Sequence, residues 1–82
     1  MAEQKDEFRF QITKELGVIG EDTRGWRKEV NLVSWNDRPS KLDIRDWNET
    51  HDKMGKGVTL SADETRALLE VLNAFDLDEL DE

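Results

Sequence analysis

Lys56-Gly57-Val58-Thr59-Leu60-Ser61-Ala62-Asp63-Glu64 is the stretch in which the chain changes its hydrophobic period. Lys56 to Leu60 is short, glycine-led and β-branched, which suits a strand. Ser61 to Glu64 then spells a capping box, with Ser61 as N-cap and Glu64 three residues on. Asp63 and Glu64 also complement the positive end of a helix dipole. Leu68, Val71, Leu72 and Phe75 follow at helical spacing as one apolar stripe, which predicts a helix over residues 62–75.

Upstream of that switch the period is two. Phe8, Phe10 and Ile12 alternate with Arg9, Gln11 and Thr13 from Glu7 onward, and Leu16, Val18 and Ile19 extend the strand through a bend at Gly17. Gly20 to Gly25 is turn chemistry. In the next run, Val30 and Leu32 share a parity with Trp26 and Lys28, while Arg27, Glu29, Asn31, Val33 and Trp35 share the other. Asn36 to Ser40 is a loop holding the single proline. In Lys41 to Trp47, Leu42 and Ile44 face one way and Lys41, Asp43, Arg45 and Trp47 the other. The order β-β-β-β-α makes an α+β fold, a four-stranded antiparallel sheet followed by one C-terminal helix. Leu42 and Ile44 are expected under the helix stripe, which turns Lys41, Arg45 and Trp47 outward at about 3.3 Å per residue. Residues 1–6 are expected to be disordered, 7–75 to form the domain and 76–82 to be an acidic tail.

The charge is unevenly placed. The formal net charge is −8, yet residues 24–60 hold eight bases against six acids, together with all three tryptophans. Residues 61–82 hold eight acids against Arg66 alone. Cations interleaved with indoles are what a single-stranded nucleic acid needs, so the distribution overrules the sum. With 35% apolar residues in 82, the domain is marginal by itself, and pairing with a second copy is one remedy. No cysteine is present, the start is too polar for a signal peptide, and no apolar run approaches the ~20 residues of a membrane span. A cytoplasmic protein is expected, with nucleoid association left open.

The residues also resemble a known family. Phe10-Gln11-Ile12, Asp43-Ile44-Arg45-Asp46-Trp47 and Lys56-Gly57-Val58-Thr59-Leu60-Ser61 occur in this order before a helix, joined by Gly25 to Asn31 and Val33 to Asp37. The set is similar to the single-stranded-DNA-binding domain of the transcriptional coactivator positive cofactor four, in its bacterial YdbC-like branch, over roughly residues 8–72. The resemblance implies a curved sheet, a homodimer and binding of single-stranded DNA with little sequence preference, in transcription or DNA maintenance. It points to Lys14, Arg45, Trp47 and Lys56, and to Trp35 or Asn36 as the aromatic position ending the second strand. The acidic tail and the lack of a basic, serine-rich leader depart from eukaryotic members.

Taken together, Arg27, Lys41, Arg45 and Lys56 are expected to neutralise phosphates and Trp35 and Trp47 to stack bases. Lys14, Lys28 and Asn36 are lesser candidates, and Trp26 is read as structural. RNA remains an alternative ligand. The same face could instead dock a protein, since tryptophan and arginine are favoured there too. No enzyme, cofactor, metal site or small-molecule substrate is expected. His51 is the only histidine, and Trp26 stands where a phosphate-binding loop after Gly20 to Gly25 needs lysine.

Overall fold

The computed structural model describes residues 9–80, so the expectations for residues 1–6, for the strand start at Glu7 and for the last two tail residues lie outside it. Strands β1 (Phe10–Glu21), β2 (Arg27–Trp35), β3 (Lys41–Trp47) and β4 (Met54–Leu60) precede helix α1 (Ala62–Ala74). They form one antiparallel sheet in the order β1-β2-β3-β4. The α+β architecture is the one read from the periodicity.

The capping box forms as expected. The Glu64 N–H donates to Ser61 Oγ at 3.1 Å, and the Ser61 N–H donates back to Glu64 Oε1 at 2.9 Å. The helix stops at Ala74 because Phe75 is already extended. Within the tail, Leu77–Glu79 makes a short 3₁₀ turn, started by the Asp78 N–H donating to the Asp76 carboxylate at 2.9 Å.

Residues paired directly across strands share a face of the sheet. Arg27 pairs with Trp47, Glu29 with Arg45, Asn31 with Asp43 and Val33 with Lys41. Asp43 in turn meets Thr59, and Arg45 meets Gly57. These residues and Trp35 make a tryptophan face. Val30, Leu32, Leu42, Ile44, Val58 and Leu60 make an aliphatic face by the same pairings. The parity of β2 and β3 is therefore as read.

Strand β1 breaks its own parity. Register shifts fall between Ile12 and Lys14, between Glu15 and Gly17, and between Val18 and Gly20. Each inserts one extra residue, bends the strand and adds twist. Phe10 pairs with Trp35 and Ile12 with Val33, so both lie on the tryptophan face. After the first bulge Lys14 meets Leu32 and belongs to the aliphatic face.

The core lies on the tryptophan face, and it is partly polar. Among the described residues Val33, Trp47, Glu29, Asn31 and Asp43 are buried, all of them on this face. The expected packing of the helix stripe over Leu42 and Ile44 is met only in part: Leu42, Ile44, Leu68 and Phe75 are half-buried. Helix α1 touches only β3 and β4, and none of its residues is buried. Leu69, Val71 and Leu72 stay 50–61% exposed. The radius of gyration is 15.3 Å, against roughly 12 Å for a compact domain of this length. One chain thus leaves much of its apolar helix exposed and its aliphatic face only half covered, because a single 13-residue helix is too short to cover the whole face of the sheet.

Candidate nucleic-acid interface

Two buried carboxylates organise the tryptophan face. Asp43 is fully buried and takes Arg45 in a two-pronged bridge, from Nε at 2.7 Å and from the second terminal nitrogen at 2.9 Å. The Thr59 hydroxyl donates to the same carboxylate at 2.7 Å. The remaining guanidinium nitrogen donates to the Gly55 carbonyl at 3.1 Å, close to Met54 Sδ. Gly57 makes this approach of β4 possible, since a Cβ there would stand 2.5 Å from the Ile44 carbonyl oxygen and 2.9 Å from Arg45 Cα. The guanidinium carbon lies 4.9 Å from the Trp35 ring centroid, within cation–π range.

The second carboxylate is Glu29. It accepts from Asn31 at 3.0 Å, pairs with Arg27 at 3.1 Å, and lies 2.9 and 3.1 Å from His51 Nε2. Burial pushes its carboxyl up. The hydrogen bonds from Asn31 and His51 and the charges of His51 and Arg27 outweigh that and hold it below the ordinary 4.5. His51 is brought there by the β3–β4 loop, where it adopts the left-handed conformation at φ 63°. Asn48 and Thr50 both donate to Asp52 at 2.6 Å and brace that loop.

The loop also explains Trp47, whose ring was expected to be open for stacking. It points to the expected face but is wholly buried, with Phe10 at 5.2 Å and His51 at 5.4 Å between ring centroids. Phe10 further meets Trp35 at 6.0 Å. An aromatic cluster fed from β1, β2, β3 and the loop has absorbed Trp47 as core.

Beside it lies a cleft of about 360 Å³. Trp35, Pro39 and Met54 give it apolar walls, Thr59 a hydroxyl, and Arg38, Lys41 and Arg45 cations. Arg38 and Lys41 are exposed, and among the described residues neither side chain has an ion-pair partner. Trp35, Lys41 and Arg45 are thus brought together as expected. The other candidates are not. Arg27 is tied to Glu29. Lys28 faces the aliphatic side and pairs with Asp46 at 3.2 Å. Lys14 is on that side as well. Asn36 is a turn residue: it sits at φ 51° with Asp37 at φ 67°, and its side-chain oxygen accepts the Arg9 N–H at 2.9 Å. Lys56 is exposed inside the β4 irregularity between Met54 and Gly57, outside the cleft lining.

Arg38, Met54 and Thr59 were missed. The loop placement of Arg38 after a tight turn, closed by its N–H to the Trp35 carbonyl at 3.0 Å, was the one available signal. Trp26 is half-buried on the side of Lys28 and Asp46, away from the cleft. Among the described residues no group of three histidine, cysteine or acidic side chains could hold a metal, and no helix is long and apolar enough to cross a membrane.

Comparison with known proteins matches the sequence to a family. An uncharacterized protein of Treponema pallidum (strain Nichols) is 44% identical over 73 residues, covering 89% of this chain and 86% of that protein. Residues 23–71, which run from the first hairpin turn through β4 and most of α1, match the family model described as transcriptional coactivator p15 (PC4). The chain therefore belongs to the PC4 family of nucleic-acid-binding, coactivator-like domains.

Proposed function

We propose that the tryptophan face binds single-stranded DNA with little sequence preference, in transcription or DNA maintenance. The observation that carries this function is the cleft in which Trp35 stands beside the exposed cations Arg38 and Lys41, which have no ion-pair partner among the described residues. An indole next to two cations suits an unstacked base followed by its phosphates. Duplex DNA binds less well, because its bases are already stacked on one another. The ligand meets a pre-formed face, since the buried Asp43 and Glu29 networks fix the sheet beneath it.

The working form is a homodimer. The exposed Leu69, Val71 and Leu72 of α1 and the half-covered aliphatic face support pairing with a second copy. The tryptophan face then stays open, which separates the self-contact from the ligand site.

Titration of tryptophan fluorescence with a dT oligonucleotide tests the ligand. Quenching that reverses with salt is expected, with a log–log slope near −1.4 per protomer, from about 0.7 for each of Arg38 and Lys41. Equal affinity for duplex, preference for RNA of the same sequence, or no response at low salt would each replace single-stranded DNA as the ligand.

A further inference from the structure

We propose that Asp43 is a positioning residue that converts Arg45 from a phosphate ligand into a flat stacking surface beside Trp35. This role rests on the nucleic-acid-binding function proposed above and names how one part of that site works.

Every nitrogen of the Arg45 guanidinium already has a protein acceptor: Asp43 Oδ1, Asp43 Oδ2 and the Gly55 carbonyl oxygen. Its charge is balanced by a carboxylate that no solvent reaches, and its own side chain is 14% exposed. Asp43 is held in turn by Thr59. A guanidinium bound this way cannot swing to follow a flexible phosphate. What it retains is a rigid plane that lines the cleft and lies 4.9 Å from the Trp35 ring centroid. Guanidinium planes stack on aromatic rings and on bases, which ammonium groups cannot do. The work in the cleft is thereby divided. Trp35 and Arg45 hold the base, and Arg38 and Lys41 hold the backbone.

Charge and shape are separable by experiment. Affinity for a dT oligonucleotide is measured across salt concentrations for the unaltered chain and for R45K, D43N, K41Q and T59V, with folding checked by circular dichroism. Arg45→Lys keeps the charge and removes the plane. Affinity is expected to fall about five- to 150-fold, the range for losing one stacked base, with the salt slope unchanged. Lys41→Gln is expected to flatten the slope by about 0.7. Asp43→Asn leaves the guanidinium uncompensated, so the slope steepens by about 0.7; a merely structural Asp43 would not move it. If R45K or D43N does not fold, Thr59→Val, which removes one anchor of Asp43 without touching a charge, carries the test through a severalfold loss at constant slope. Binding by R45K as tight as that of the unaltered chain, an unchanged slope in a folded D43N, or unchanged affinity in T59V would overturn the positioning role alone. Failure of the unaltered chain to bind would remove the proposed function together with it.

Discussion

Gly57 and Trp35 carry the interface at the level of single side chains. A methyl group at Gly57 would collide with Arg45 and the Ile44 carbonyl, atoms that belong to backbone and cannot step aside. Gly57→Ala is expected to lower stability by about 1–3 kcal/mol and to separate β4 from β3, read as a lower Tm. Trp35→Ala is expected to leave the fold intact, since Trp47 anchors the buried cluster, and to weaken dT binding by about 1–3 kcal/mol in a fluorescence or calorimetric titration. An unaltered affinity would remove Trp35 from the site. At this scale the sequence is only half legible. The alternation of β3 put Arg45 and Trp47 on one face with certainty. It could not tell that one would be neutralised by its i−2 neighbour and the other covered by a histidine from a loop. Both outcomes depend on side-chain and loop conformation, which the alternation of a strand does not encode.

The β3–β4 loop is the element in which that conformation matters most. It is a self-bonded turn that delivers His51 onto Glu29 and the Trp47 ring. Because the Glu29 carboxyl is held below its ordinary value in the fold, it favours the folded chain above the unfolded value of 4.5. That contribution disappears as pH falls through the lowered folded value. Acid titration by circular dichroism should therefore show stability falling below about pH 4.5, more steeply in the unaltered chain than in Glu29→Gln. At neutral pH the same substitution is expected to cost about 1–3 kcal/mol, since Arg27 and His51 lose their common partner. The helix start was fully legible, because a capping box is a local code. The path of β1 was not. Its bulges leave no trace in the alternation of Phe10 and Ile12, and they decide that Lys14 turns away.

At the scale of the whole molecule, the chain encloses a polar network and leaves its aliphatic side only half covered. That is the reverse of a domain that folds for itself, and it follows from one short helix set against a four-stranded sheet. Leu69→Glu and Leu72→Glu alter residues 60% and 50% exposed in a single chain, so neither should unfold it directly. Each is expected to halve the mass seen by light scattering and to weaken binding of long oligonucleotides more than short ones. A dimeric mass in both variants would place the self-contact elsewhere. The strand order and the cationic middle foretold the class of ligand. The helix stripe, which suits a core or a dimer interface equally, is where a single chain's sequence gives no clue to whether the partner surface is its own sheet or another molecule.

The uneven path of β1 has a protective side. Its 12 residues run beside nine of β2, a lag of one residue at each of three irregular steps. An outer strand carrying exposed Leu16, Val18 and Ile19 would otherwise offer a regular row of amides and carbonyls to any passing chain. No straight neighbour can keep step with a ladder that skips a rung three times. Shortening β1 by its three supernumerary residues would straighten that border and invite fibrous self-templating, so the irregular edge keeps crowded copies apart.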